Sequence, residues 1–273
     1  MRTMTLGMVA VGLVGLLGCG EEPMTGTEAR AAMDEAFTAE RGLAPTAEPI
    51  EIATHFTIGG AVDTAADELR AWVESQIPCA TATRDGNTLT LDFGDLADTC
   101  TYNGHTYAGV AAITIEKNDA AEVVVTHTWT GLTNGVVTVD GGATVTWSAA
   151  DASRHVVHDL EWTDGARTVH ATGDRTQTLI DPEAGLAGGI RIDGSRDWTA
   201  DAGTWDLAIA GVEVRGVDPV PQAGGYTVTN PAGKAMSMAF SRIDDDTIEV
   251  TVTTGRWERV YEVSRDGGTV SEG

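Results

Sequence analysis

Seven dipeptides of the hairpin type punctuate the chain from residue 85 onward, and they constrain its fold more than any other feature. Each joins Asp or Asn to Gly, and the seven pairs are Asp85-Gly86, Asn103-Gly104, Asn134-Gly135, Asp140-Gly141, Asp164-Gly165, Asp193-Gly194 and Asp266-Gly267. Such pairs tolerate the positive φ angles that two-residue β-turns require. They therefore predict a succession of β-hairpins.

The stretches between these turn signals alternate between apolar and polar residues. Examples are NTLTLDF at 87–93, EVVVTHTW at 122–129 and TIEVTVT at 247–253. A period of two is typical of strands with one face in water, and no helical pattern here is long enough for a crossover. We predict a mainly β fold of about fourteen strands in one large antiparallel meander. It would form a sandwich or a curved open sheet (half-barrel), with one or two N-terminal α-helices.

Two helices are predicted before the meander. Apolar residues recur every three or four positions from Val62 to Ile77, with acids on the other side, which indicates an amphipathic helix over 62–77. A shorter helix is predicted from Glu28 to Arg41, capped by Thr27 and ended by Gly42 and Pro45. Residues 50–58 are predicted as a first strand.

The N-terminus has the composition of a secretory signal peptide. Arg2 precedes a mostly apolar run from Leu6 to Leu17, and Gly18 stands just before Cys19. A basic start, a short hydrophobic stretch and a small residue at its end are the parts of such a signal. Twelve helical residues span about 18 Å, well short of the roughly 30 Å of hydrocarbon that a transmembrane helix must cross.

Leu16-Leu17-Gly18-Cys19 resembles the lipobox of bacterial lipoproteins. The resemblance implies that Cys19 is lipidated and becomes the mature N-terminus, so the membrane is a partner through the lipid. The alternative is a chance cysteine in an ordinary signal peptide. Gly20-Glu21-Glu22 lacks the Asp that retains some lipoproteins at the inner membrane, which favours the outer membrane of a Gram-negative bacterium. The domains would be a signal peptide at 1–18, a lipidated tether with a short helix at 19–48, and one β-rich domain at 49–273.

Cys79 and Cys100 are the two other cysteines of the chain. In an oxidising envelope compartment such a pair persists as a disulfide. A two-cysteine metal site is the alternative, but no histidine stands at zinc-like spacing from either residue. The disulfide would join the end of the 62–77 helix to the first hairpin.

The charge of the chain excludes one class of partner. Its formal net charge is −24, with 41 acidic residues against 17 Lys and Arg. Nucleic acid binding depends on basic residues that neutralise phosphates, and so does an electrostatic grip on anionic lipid. We therefore expect no nucleic acid partner.

Tryptophan is abundant relative to phenylalanine, with seven Trp against four Phe. A row of indoles along a sheet could stack on carbohydrate. The period of two instead places Trp147 with Val145 and Trp162 with Leu160 on the apolar face, which favours a core role. If the protein binds a hydrophobic molecule, the residues expected to face it are Leu69, Val73 and Ile77 of the helix and Trp129, Trp147, Trp162 and Trp205 of the sheet.

No catalytic or metal-binding constellation emerges from the sequence, and no cofactor is expected. His155 and His158 are three residues apart and would point to opposite faces of a strand. Asp244-Asp245-Asp246 could attract calcium, but a run of acids at a hairpin turn accounts for it as well. The sequence contains no nucleophile elbow, no zinc-protease helix motif and no phosphate-binding glycine loop.

The layout also resembles a type of uncharacterised β-rich Gram-negative lipoprotein, in the segments IPCATATRDGNTLTLDFG and DTCTYNGHTYAG followed by a long meander. This resemblance implies no activity. We expect a non-catalytic structural or binding module, not an enzyme, with an envelope protein or a hydrophobic small molecule as partner. A carrier of a hydrophobic ligand under the 62–77 helix is the alternative, by analogy with outer-membrane lipoprotein carriers. A hydrolase is the third.

Overall fold

One large antiparallel sheet makes up most of the protein in the computed structural model, which describes residues 22–57, 62–98, 100–102, 104–118, 122–148 and 150–264. Two helices precede it, α1 (Gly26–Thr57) and α2 (Val62–Gln76). The strands are β1 (Glu22–Pro23), β2 (Thr81–Asp85), β3 (Thr88–Asp92), β4 (Cys100–Tyr102), β5 (His105–Lys117), β6 (Val123–Thr133), β7 (Thr138–Ser148), β8 (Ser153–Thr163), β9 (Thr168–Leu179), β10 (Ile190–Ala200), β11 (Gly203–Val214), β12 (Ala223–Thr229), β13 (Lys234–Arg242), β14 (Thr247–Thr254) and β15 (Trp257–Ser264).

The strand order follows the chain, as the turn signals predict. From β5 to β15, consecutive strands are neighbours in the sheet and there is no crossover. At the other end β5 pairs with β3, and β3 pairs with β2, while β4 also pairs with β5. The two-residue β1 pairs in parallel with β13, and the other pairs are antiparallel. The predicted meander is therefore confirmed. Within the described residues it forms one open sheet of 15 strands rather than a sandwich.

Four of the seven predicted turn glycines lie between consecutive strands, namely Gly86, Gly104, Gly135 and Gly165. The prediction is wrong for Asp140-Gly141 and Asp193-Gly194, which lie inside β7 and β10. Asp266-Gly267 lies outside the described residues. Turn-type dipeptides therefore mark four of the connections between consecutive described strands, but they also occur within strands.

The two internal Asp-Gly pairs share one structural role. Asp140 Oδ1 accepts a hydrogen bond from the backbone N–H of Gly131 (2.8 Å), and Asp193 Oδ1 accepts one from Gly211 (2.7 Å). Gly131 and Gly211 have φ angles of 55° and 57°, which favour glycine, and the strand register shifts beside each. These are β-bulges in which the carboxylate satisfies the amide that leaves the ladder.

Helix α1 is longer than the sequence predicts. It begins with a capping box, in which Thr25 N–H donates to Glu28 (2.7 Å) and Glu28 N–H donates to Thr25 Oγ1 (3.3 Å), so Thr25 rather than Thr27 is the cap. It then continues past Gly42 and Pro45 to Thr57. The predicted strand at 50–58 is therefore wrong, and the predicted tether is part of the fold from Glu22 onward.

Packing against the sheet explains why α1 continues through residues that usually stop a helix. Ile50 and Ala53 are buried at helical spacing, and α1 contacts β6, β7 and β8. At Gly42, a Cβ atom would overlap the indole of Trp162, so this glycine permits a close approach and is not a C-cap. The burial offsets the backbone hydrogen bonds that the prolines remove.

Helix α2 confirms the predicted amphipathic segment. Leu69, Val73 and Ile77 are almost fully buried, and the helix contacts β2, β3 and β5. The sulfur atoms of Cys79 and Cys100 lie at disulfide distance, with 5.3 Å between the Cα atoms. The pair joins the end of α2 to β4, not to the first hairpin as expected.

The side chains buried beneath the two helices define the inner face of the sheet. Trp129, Trp162 and Trp198 are buried there, while Trp205 and Trp257 are half-buried against the same core. Trp147 is half-buried. Trp198 and Trp205 stack with ring centroids 6.1 Å apart. The preference for core tryptophans is therefore confirmed for the indoles beneath α1.

Candidate ligand-binding site under helix α1

A cavity of about 530 Å³ lies between α1 and the inner face of β6, β8, β9 and β10. Much of its wall is apolar, because the inward positions of the strands carry large hydrophobic side chains and α1 adds its own. The main apolar lining residues are Phe37, Leu43, Ile50, Trp129, Val156, Leu160 and Ile192. The volume is in the range of small-molecule sites.

Arginines also line this cavity, at positions where the alternation calls for apolar residues. On β8 the inward residues are Arg154, Val156, His158 and Leu160, all of them buried. On the next two strands, Arg175 and Arg196 have the same orientation, since both line the cavity. The polar groups are therefore fixed by regular strands rather than by loops.

The strand register arranges these polar groups in successive rows. Arg154 lies opposite Gln177, and Val156 lies opposite Arg175. His158, Gly173 and Arg196 occupy one row across β8, β9 and β10. A Cβ atom on Gly173 would overlap the imidazole, so the absence of a side chain there gives His158 its place beside Arg196.

The hydrogen bonds of the cavity leave donors unused. Arg154 Nε donates to Gln177 Oε1, and Arg196 Nη1 donates to Glu40 Oε2 of α1. Among the described residues, Arg175 Nε, Arg196 Nε and His158 Nε2 have no hydrogen-bond partner although they are buried. Buried polar atoms usually have a partner, so the polar groups around this cavity are incompletely satisfied.

The electrostatics of the cavity are dominated by positive charge. Burial, together with the neighbouring Arg196 and Arg154, lowers the pKa of Arg175 to about 9, while Glu40 acts in the opposite direction. Burial, together with Arg175 and Arg196, lowers the pKa of His158 to about 3, and only Asp159 opposes this. At neutral pH Arg175 is therefore charged and His158 is neutral.

Most of the residues that the sequence predicts to face a ligand do not line this cavity. Trp129 lines the cavity, but Leu69, Val73 and Ile77 pack between α2 and the sheet, away from it. Trp147, Trp162 and Trp205 are not part of its lining. The cavity thus lies under α1 and not under the 62–77 helix.

The three arginines of the sheet that line the cavity, Arg154, Arg175 and Arg196, were not predicted from the sequence. RHVVHDLEW at 154–162 carries the signal, because Arg154 and His158 share the inward phase with Val156, Leu160 and Trp162. A charged residue in the apolar phase of a strand indicates a buried polar site. That these arginines meet one another depends on the register of three strands, which the sequence alone does not show.

The other histidines and the acidic run lie apart from the cavity. His155 is exposed while His158 is buried, which confirms that they point to opposite faces. On the outer face, His155 Nε2 contacts Asp174 (2.6 Å), and His170 Nε2 contacts Asp159 (2.7 Å). These two cross-strand pairs were also missed.

Asp244 and its acidic neighbours form the turn between β13 and β14. Asp244 Oδ1 accepts the N–H of Asp246 (2.9 Å), and this bond lowers the pKa of Asp244. Across the described residues, no three His, Cys, Asp or Glu side chains are grouped so as to hold a metal ion. Neither described helix is both long enough and apolar enough to cross a membrane.

Comparison with protein-family models, with curated proteins and with solved structures finds no match for this chain. Its function is therefore inferred from the cavity and the sequence motifs.

Proposed function

We propose that this protein is a non-catalytic, lipid-anchored envelope protein that binds a small molecule in the cavity under α1. The observation that carries the proposal is the cavity itself, which combines about 530 Å³ of volume and a largely apolar wall with a few convergent polar groups. That combination is typical of ligand sites. A scaffold without a ligand would more commonly have a solid core at this place.

The state of His158 favours binding over catalysis. A general base works best when its pKa lies near the operating pH. The pKa of His158 is about 3, because the ring is buried beside two guanidinium groups. The cavity therefore presents fixed cations and a neutral imidazole, which suit recognition better than proton transfer.

The lipobox and the start of the fold together support a position close to the membrane. Glu22 is three positions after Cys19 in the sequence, a reach of about 11 Å at most. From Glu22 the chain is held by β1, by the Lys234–Glu28 ion pair (3.0 Å) and by Thr254 Oγ1, which donates to Met24 O (2.6 Å). A lipid on Cys19 would thus keep the sheet near the bilayer, the source of an amphiphilic ligand.

Native mass spectrometry of the full chain, expressed in a Gram-negative host and extracted gently, tests the proposal. We expect an acylated N-terminal Cys19 and a co-purifying small molecule. Ile192→Trp, which fills the cavity, should remove the small molecule. Ile190→Trp, on the same strand but outside the lining, should not.

Two results would contradict the proposal. An unmodified Cys19 would exclude the lipid anchor, and the Cys19→Ser variant should in turn be released from the membrane or remain uncleaved. Protein at its bare mass that takes up none of a set of added amphiphiles would exclude the binding function and leave a scaffold. Circular dichroism of each variant separates loss of binding from loss of fold.

A further inference from the structure

The charge balance of the cavity is opposite to that of the whole chain. The protein has 41 acidic residues against 17 Lys and Arg. Among the described lining residues, however, four are arginines (Arg41, Arg154, Arg175 and Arg196) and one, Glu40, is acidic. An acidic protein that concentrates guanidinium groups in one cavity provides a local site for negative charge.

Glu40 does not neutralise this cluster well. It pairs with Arg196, but its carboxylate side chain is 63% exposed whereas the Arg196 side chain is 17% exposed. An ion pair with an exposed partner is weak because water screens it. Arg175 has no salt bridge among the described residues, and its buried Nε has no acceptor. A buried cation without a close partner is costly, and a bound anion would offset that cost.

The arginines have the chemistry of an oxyanion site. A guanidinium group is planar and offers parallel N–H donors that match the two oxygens of a carboxylate or phosphate. Arg175 is two residues from Gly173 on β9, whose row holds His158 and Arg196. The guanidinium groups of Arg175 and Arg196 therefore extend from adjacent strands into the lining of the same cavity.

We infer that the cavity selects amphiphiles with a single oxyanion head, held by Arg175 and Arg196, and an apolar tail packed against Trp129, Val156 and Leu160. This inference rests on the proposed binding function and adds the class of ligand. The head is a carboxylate, as in a fatty acid, or a phosphate monoester or diester, as in a lysophospholipid. A neutral or cationic molecule of the same length leaves the guanidinium groups uncompensated.

A competition experiment with the full chain in non-ionic detergent tests this inference. The protein is mixed with equimolar dodecanoate, dodecyl phosphate, dodecanol and dodecyltrimethylammonium, and the retained adducts are counted by native mass spectrometry. We expect the two anions to exceed the alcohol and the ammonium about tenfold, because hydrogen bonds between charged groups are stronger than hydrogen bonds to a neutral hydroxyl group. The ratio of the two anions identifies the preferred head.

Substitutions show which residue is responsible for the preference for anionic amphiphiles. Arg175→Met should reduce retention of the anions about tenfold and leave dodecanol unchanged, and Arg175→Lys should restore part of the loss. The matched control is Arg191→Gln, because Arg191 lies on β10 outside the cavity with its side chain 55% exposed. Comparison with this control removes differences in how well each adduct survives in the gas phase.

The outcomes separate this inference from the function on which it rests. Equal retention of all four amphiphiles, unchanged in Arg175→Met, would overturn the inference while the binding function stands. Retention of none would overturn both. If Arg175→Met does not fold, the unsubstituted protein still tests the inference. Its retention of the anions, with dodecyl sulfate added as a further anion, is then ranked against its retention of dodecanol. Arg191→Gln is measured in the same way as the reference.

Discussion

Gly42 of α1 lies directly against the indole of Trp162, so close that a single methyl group on Gly42 would overlap the ring. In an exposed helix, Gly→Ala stabilises by about 1 kcal/mol. Here we expect the opposite sign. The contact fixes the distance between α1 and the sheet, and thereby the height of the cavity beneath the helix.

Gly42→Ala should lower the free energy of unfolding by about 1–3 kcal/mol, because the added methyl group forces the helix or the indole to move. Gly26→Ala is the matched control, since its Cβ would be 3.6 Å from Trp257, an ordinary contact. Urea denaturation followed by circular dichroism measures both. Equal stability of the two variants would show that α1 is not held against Trp162.

Glu35 is the second anchor of α1. Its carboxylate accepts two hydrogen bonds from Arg167 (2.9 and 3.1 Å) and one from Trp198 Nε1 (3.1 Å). Glu35→Ala leaves these partly buried donors unpaired, so we expect a loss of about 2 kcal/mol in unfolding free energy. Glu35→Gln keeps an acceptor for Trp198 and should lose less. A loss in Glu35→Ala no greater than in Asp34→Ala, on the exposed side of α1, would contradict this role.

The disulfide pair gives a third prediction. Cys79 and Cys100 are 21 residues apart, and a loop of this size contributes about 3 kcal/mol by restricting the unfolded chain. Replacing both with Ser should lower the unfolding free energy by about that amount. Addition of a reducing agent should lower the stability of the unsubstituted protein to the same level and leave the variant unchanged. Free alkylation of both thiols in the folded protein would refute the bond.

His127 makes the stability depend on pH. The ring is almost fully buried against Trp129, neither nitrogen has a partner among the described residues, and burial lowers its pKa from 6.5 to about 4. Between pH 6.5 and pH 4 the unfolded chain binds a proton that the native state does not. The free energy of unfolding should therefore fall by about 3 kcal/mol as pH decreases through this window.

His127→Leu removes this group and tests the sign. We expect a stability at pH 7.5 equal to or above that of the unsubstituted protein, since two unpaired buried nitrogens are lost. We also expect a shallower decline between pH 6.5 and pH 4, measured by denaturation at several pH values. His105→Gln, at an exposed position, should leave the slope unchanged. An unaltered slope in His127→Leu would mean that His127 is protonated or hydrated in the native state.

The sequence predicts the sheet well because the signals of a meander are local. Glycines such as Gly86 and Gly135 mark individual turns, and apolar and polar residues alternate along the strands between the turns. Both signals involve residues only a few positions apart in the sequence. Asp140-Gly141 and Asp193-Gly194 mislead because a bulge needs the same backbone freedom as a turn. The two pairs stand in similar segments, NGVVTVDGGATVTW at 134–147 and GGIRIDGSRDW at 188–198. In each segment the Asp is bonded to a glycine of the neighbouring strand, so the same bulge occurs twice.

The end of α1 and the cavity depend on contacts between distant parts of the chain. Gly42 and Pro45 predict a helix end, and only the burial of Ile50 and Ala53 on the sheet reverses that preference. The arginine cluster likewise requires β8, β9 and β10 in register. A sequence pattern shows which residues point inward, but not which of them meet.

The most direct test of the central claim, that the cavity under α1 binds an amphiphile, is photoaffinity mapping. A dodecanoate analogue with a diazirine at the end of its tail is irradiated with the full chain in non-ionic detergent, and the labelled residues are identified by mass spectrometry. We predict labels on the cavity wall at Trp129, Val156, Leu160 and Ile192, suppressed by excess dodecanoate and by Ile192→Trp. Labels confined to α2 or to the outer face, or labelling that excess dodecanoate leaves unchanged, would contradict it.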